Sequence, residues 1–149
     1  MVRKGIIKDL DVLQEIMKNA FSVWKYSEDN IKKITTTLAI TEDFINNAVL
    51  YVEEINGKIE GFFGVVPFGE LNEAKFYVNP ANIKTGIGKI LWQHVIQDLE
   101  KTELEYITIV IDGNAIGFYE KLGCINVGEQ PSVISGGKYT PIMRYFLKK

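Results

Sequence analysis

The chain has 149 residues, 46% hydrophobic and 24% charged, with a net charge of -2, one cysteine and one histidine. That describes one globular domain spanning residues 1–149, and without a basic excess neither nucleic acid nor an anionic membrane is a natural partner. Cys124 alone makes no intrachain disulfide, which suits a reducing, cytoplasmic interior, and one cysteine with His94 falls short of a Cys/His zinc set. No apolar run reaches the length that spans a membrane, and the opening MVRKGIIKDLD turns acidic too soon for a signal peptide.

Val2 to Ile7 reads as a short strand. Asp9 or Asp11 then caps a helix running to about Phe21, with Leu10, Leu13, Ile16, Met17 and Ala20 on one stripe. The aromatic cluster Phe21, Trp24 and Tyr26 follows. Ser27 is placed to cap a second helix reaching about Leu38, and Thr41 to cap one or two further turns ending near Asn47. Val49 to Ile55 is a strand, and Asn56-Gly57 is the strongest short hairpin signal, so Lys58 to Phe68 returns antiparallel. On that return strand Ile59, Gly61, Phe63 and Val65 are expected on one face. A turn at Pro67-Phe68-Gly69 leads into a third antiparallel strand, Glu70 to Val78.

The stretch YVNPANIKTGIG, Tyr77 to Gly88, leaves that strand and enters a helical pattern of Ile87, Ile90, Leu91, Val95 and Leu99. Strand, glycine loop and helix together present backbone N–H groups that have no internal partner, with the positive end of the helix dipole behind them. Gly86 and Gly88 admit an anion close to the backbone, and Lys84 and Lys89 flank the loop with charge. The bland alternative is a tight turn without a ligand. Leu91 stands where a third glycine of the dinucleotide fingerprint belongs, and no Gly-Lys-Ser/Thr closes a P-loop.

Tyr106 to Ile111 is an unbroken apolar run, the pattern of a strand buried on both faces and typically parallel to a neighbour. Asp112 is placed to cap a short helix, Asn114 to Leu122, that Gly123 ends. Cys124 to Gly128 and Lys138 to Leu147 are closing strands, with a loop from Gln130 to Gly137 between them. The order is β-α-α-β-β-β-α-β-α-β-β, with one β-α-β crossover between hairpins.

This order, with a phosphate-type loop after the fourth strand, resembles the GNAT acetyltransferase superfamily. FYVNPANIKTGIGKIL is similar to its acetyl-CoA motif of strand, Val-x-Pro and Arg/Gln-x-x-Gly-x-Gly/Ala, and DGNAIGFYEKLGC to its Asn-x-x-Ala-x-x-Phe-Tyr-x-x-x-Gly-Phe segment. The likeness covers nearly the whole chain. Ile83 replaces the usual Arg/Gln, Asp112 the usual Asn and Cys124 the final Phe. The resemblance implies a mixed α/β fold with a mostly antiparallel sheet of about seven strands, helices on both faces and one parallel crossover.

It also implies acetyl transfer from acetyl-CoA to a primary amine by direct attack, without a metal. The pantetheine arm would pair with the backbone of Phe76, Tyr77 and Val78, the Val78 N–H serving as oxyanion donor. The pyrophosphate would sit on the amides of Lys84, Thr85, Gly86, Ile87, Gly88 and Lys89. Asp112 falls on a cofactor-side position, and Tyr119 on the tyrosine that commonly protonates the departing thiolate. Glu73 is the candidate base, with Glu70 or a water chain as alternatives. Phe21, Trp24 and Tyr26 are candidates for the wall of the acceptor pocket, with Ser132 to Gly137 at its rim. For Tyr119, and for those aromatics, core packing is the structural alternative. A non-catalytic acyl-CoA-binding module and a nucleotide-binding domain of another fold remain the competing functions. Self-association into a homodimer is left open.

Overall fold

The computed structural model describes residues 1–23, 26–82, 85–132 and 138–148. Seven strands lie among them. β1 (Val2–Lys4), β2 (Val49–Ile55), β3 (Lys58–Val65) and β4 (Ala74–Val78) form an antiparallel sheet in that order. β5 (Tyr106–Val110), β6 (Ile125–Pro131) and β7 (Tyr139–Phe146) form a second antiparallel sheet ordered β5-β7-β6. The helices are α1 (Leu10–Ser22), α2 (Glu28–Thr37), α3 (Glu42–Asn47), α4 (Ile87–Glu100) and α5 (Ile116–Lys121). The mixed α/β architecture is observed, and the element order matches the expected one with one helix added, α3 between α2 and β2, formed by the turns expected after Thr41. Among the described residues no helix is long and apolar enough to cross a membrane.

Short polar side chains start the helices as expected. Ser27 Oγ accepts the Asn30 N–H at 3.1 Å, Thr41 Oγ1 the Phe44 N–H at 3.1 Å, and Asp112 Oδ1 the Asn114 N–H at 2.8 Å. Asp9 behaves otherwise. It stands before α1, but its carboxylate is taken by the Arg3 guanidinium at 2.9 and 3.0 Å and by the Ile6 N–H at 2.9 Å. That pairing ties β1 to the helix start and holds the Asp9 carboxyl below its ordinary pKa, the Arg3 hydrogen bond being the main cause.

The first sheet separates two cores. On one side α4 packs through Leu91, Trp92, Val95 and Leu99 onto Phe63, Val65, Ile107 and Ile109. On the other, α1, α2 and α3 pack through Leu13, Met17, Ile34 and Phe44 onto Val52, Ile59 and Phe62. Ile59 therefore does not share a face with Phe63 and Val65 as period-two reading expects. Glu53 pairs with Gly61 and Glu54 with Ile59, so Glu60 is an extra residue in the ladder, and the bulge turns Ile59 to the helix-rich side.

β4 is shorter than expected because Glu70 to Glu73 are spent on a turn. β5, read as a strand with a parallel neighbour, takes its ladder from antiparallel β7. α4 crosses from β4 to β5, yet the two strands share no ladder among the described residues. They meet where the Asn72 N–H reaches the Thr108 carbonyl at 2.7 Å and Asn72 Oδ1 accepts the Thr108 N–H at 3.0 Å. Beyond that joint the sheet is split, and the split positions the candidate site.

Candidate active site between the fourth and fifth strands

The open edge of β4 follows from its pairing with β3. The Asn79 N–H bonds the Glu60 carbonyl and the Val66 N–H bonds the Glu73 carbonyl, each at 2.8 Å. Odd-numbered positions of β4 thus face β3, and by antiparallel alternation the N–H and C=O groups of Phe76 and Val78 face the split. They have no ladder partner there among the described residues.

After β4 a 3-10 turn, Pro80–Asn82, leads to the glycine loop. Gly86 is the N-cap of α4 with φ +88°, a left-handed conformation that favours glycine. The first helical bond runs from the Ile90 N–H to the Gly86 carbonyl at 3.1 Å, which leaves the amides of Ile87, Gly88 and Lys89 in the unpaired first turn. The Ile87 side chain is buried, so that residue has only its amide to offer. A Cβ at Gly86 would meet nothing within 4 Å, whereas one at Gly88 would come within 3.2 Å of Phe118 Cζ. Thr85 is differently engaged: its N–H and Oγ1 both donate to the Asn82 carbonyl, at 3.3 and 2.6 Å. Lys84, Ile83 and Trp24 lie outside the described residues.

Tyr119, on α5, is 7% exposed and packs edge-on to Phe76 and Trp92. Its hydroxyl makes no hydrogen bond to the described residues. Burial pushes its pKa well above the ordinary tyrosine value, with smaller contributions from Tyr77, Cys124 and Asp112. The phenol is therefore protonated across the neutral range. Cys124 is core, its thiol pushed up to about 12 by burial.

On the helix-rich side of the split lies a cavity of about 360 Å3, with Phe21, Glu73, Lys75, Tyr77 and Asp112 in its wall. Phe21 packs against Tyr77 at 5.4 Å and Tyr26 at 6.0 Å between ring centroids. The Tyr26 hydroxyl donates to Asp112 Oδ2 at 3.2 Å, bridging the segment after α1 to the end of β5. Both Asp112 oxygens are thus engaged, one by Tyr26 and the other by the helix cap. Glu73 sits one residue before β4, its side chain 55% exposed, while Glu70 lies in an exposed turn outside the cavity wall. His94, half-buried on α4, has its ring tilted against Tyr51 of β2 at 5.4 Å, and it is not in the cavity wall.

The cavity holds one residue that sequence reading passed over. Lys75 is 5% exposed, and its Nζ donates to the Leu38 carbonyl at 2.9 Å and lies 3.7 Å from Glu73 Oε2. Burial pulls its pKa down, with Glu73 acting in the opposite direction. Strand alternation was the available signal, because Lys75 shares a buried face with Tyr77.

Residues 46–123 match a family model described as an acetyltransferase (GNAT) domain. The uncharacterized N-acetyltransferase ycf52 of Pyropia yezoensis is 25% identical over 113 residues, 74% of this chain. The chain spans 62% of the length of that curated relative. In fold the chain is similar to the PaiA N-acetyltransferase of Thermoplasma acidophilum, solved with coenzyme A: TM-score 0.78, 18% identity, covering 98% of each chain. It is also similar to an aminoglycoside 6'-N-acetyltransferase complexed with coenzyme A: TM-score 0.73, 15% identity, covering 100% of this chain and 98% of that one.

Proposed function

The chain belongs to the GNAT acetyltransferase family, and from that premise we propose that it moves an acetyl group from acetyl-CoA to a primary amine of a small molecule or peptide by direct attack. The observation that carries this reading is the split beside β4, which leaves the Phe76 and Val78 amides free one turn before the unpaired amides of α4. Those groups suit a long ligand with amide groups at one end and a pyrophosphate at the other.

When bound, acetyl-CoA supplies an activated thioester. Val78 N–H is the candidate donor to negative charge on the reacting carbonyl oxygen. Ile87, Gly88 and Lys89 hold phosphate oxygens through their amides, and Gly86 keeps the approach clear. The Tyr119 hydroxyl, protonated and without a hydrogen-bond partner among the described residues, is the candidate acid for the leaving sulfur. Glu73 takes the amine proton, directly or through water. Phe21 and Tyr77 wall the acceptor, Tyr26 backs Phe21, and Asp112 acts by holding Tyr26 and the start of the 3-10 turn before α5.

The deciding experiment joins two measurements. Acetyl-CoA should raise the melting temperature, because it binds the native state, and an amine panel should release coenzyme A. A thermal shift without release from any amine would favour a non-catalytic acyl-CoA-binding module. The absence of both would overturn the reading.

A further inference from the structure

Lys75 is an ammonium in a place where a strand residue facing a core is normally apolar. It is 5% exposed, lies 5.6 Å from the Phe44 ring centroid and borders the 360 Å3 cavity. An ammonium has three N–H donors. One is satisfied by the Leu38 carbonyl at 2.9 Å, and Glu73 Oε2 at 3.7 Å stands beyond hydrogen-bond distance. Two donors therefore have no close acceptor among the described residues. A lysine kept for the fold alone would be better replaced by an apolar side chain of similar shape, since a buried charge with incomplete pairing destabilises.

The cavity wall contains no other Lys or Arg among the described residues, and it contains two carboxylates, Glu73 and Asp112. Asp112 is already hydrogen-bonded on both oxygens. Glu73 and Lys75 remain as an adjacent opposite-charge pair, 3.7 Å apart. An amine drawn to Glu73 is brought beside the Lys75 ammonium and repelled by it. A carboxylate on the same molecule would turn that repulsion into attraction and supply the missing acceptor. In an α- or β-amino acid the nitrogen and the carboxylate carbon lie about 2.5 to 3.9 Å apart across two or three bonds of about 1.5 Å, close enough for one molecule to meet both Glu73 and Lys75, which are themselves 3.7 Å apart. The cavity volume, near the low end for ligand sites, suits a molecule of that size.

We infer that the acceptor is an amine carrying a carboxylate one or two carbons away, a free amino acid or close analogue, and that Lys75 binds that carboxylate while Glu73 faces the amine. The inference rests on the acetyl-transfer reading and narrows it. A peptide amino terminus has only a neutral amide carbonyl beside the amine, which can accept from Lys75 but leaves its charge unpaired.

The test compares the common L-amino acids and β-alanine with their carboxamides, on the wild type and on Lys75→Met. Two readouts are taken: coenzyme A release from acetyl-CoA, and the melting-temperature shift each compound produces with coenzyme A present. At least one acid should exceed its amide by about 10- to 100-fold in kcat/KM, chiefly through KM, the range for one charge-assisted hydrogen bond. Lys75→Met should remove that preference while keeping its thermal shift with acetyl-CoA. Should Lys75→Met not fold, the acid-against-amide comparison on the wild type decides. Turnover of amines and amides without preference for the acids overturns the inference and leaves acetyl transfer standing. Thermal shifts produced by an acid but not its amide, without turnover of any compound, would support the binding role while refuting acetyl transfer. The absence of both, no acid turned over and no acid producing a shift, overturns the inference.

Discussion

Glu60 and Asn82 meet at 2.6 Å, Oε2 accepting from the Asn82 amide, and the same oxygen accepts from the Asn79 amide at 3.0 Å. Glu60 is the bulged residue of β3, so the irregularity that turns Ile59 to the other core also aims a carboxylate at the turn before the glycine loop. Asn82 in turn accepts both hydrogen bonds from Thr85, the residue before Gly86. A short chain of contacts thus runs from the sheet to the residue that precedes Gly86.

Glu60→Ala should therefore weaken coenzyme A binding by about tenfold, with a stability loss of about 1–3 kcal/mol from two stranded amide groups. Calorimetric titration with coenzyme A, beside thermal unfolding, separates the two. A stability loss with unaltered affinity would mean the clamp serves the fold and not the loop.

Gly86 has room for a side chain within the protein but not the right backbone. Its φ of +88° disfavours a β-branched residue, so Gly86→Val should lower stability by about 1–2 kcal/mol. It should also abolish the acetyl-CoA thermal shift. Gly86→Asn isolates the second effect, because asparagine tolerates the left-handed region. The asparagine variant should melt near the wild type yet show a much reduced shift. Full shifts in both variants would move the phosphate site away from this loop.

Tyr119→Phe removes a hydroxyl that bonds nothing among the described residues, so stability and acetyl-CoA affinity should scarcely change. The turnover number should fall by about 100- to 10,000-fold, the range for losing a general acid. Steady-state kinetics with saturating acetyl-CoA tests this. An unchanged kcat with ordinary amines would leave Tyr119 as the aromatic that packs α5 on Phe76 and Trp92.

What was legible in the chain was local chemistry. Ser27, Thr41 and Asp112 announce helix starts because a short oxygen acceptor at that position has one good use. Asn56-Gly57 announces its hairpin through two left-handed residues, φ 53° and 78°. The glycine loop stood out by its strand, Gly-x-Gly and helix pattern, and Tyr119 was singled out by the resemblance to the acetyltransferase motif. Features set by pairing between distant strands were not legible. The bulge at Glu60 reverses Ile59, and no local pattern marks which ladder gains the extra residue. The joint beside the split between β4 and β5 is made by Asn72 on Thr108, 36 positions away. Asp9 looked like a cap, but Arg3 folded back onto its carboxylate. Lys75 was half legible: alternation puts it on the face of Tyr77, but the packing of Leu38 and Phe44 over β4 is what buries its ammonium.

Glu73 is the carboxylate in the cavity wall nearest Lys75, and Glu70 lies in the exposed turn outside it. With its side chain 55% exposed, Glu73 can pass a proton to solvent after taking it from the amine. A base is needed most when the amine is protonated, so Glu73→Gln should depress kcat/KM chiefly below the amine's own pKa. As pH rises past that value the free amine becomes common and the loss should shrink. The glutamine keeps the side-chain volume, so a pH-independent loss would indicate altered binding instead of lost proton transfer. The measurement is kcat/KM against pH for both proteins, with acetyl-CoA saturating and one amine throughout. A variant whose profile overlays the wild type would take Glu73 out of the proton path, leaving Glu70 or a water chain to bulk solvent as the remaining acceptors.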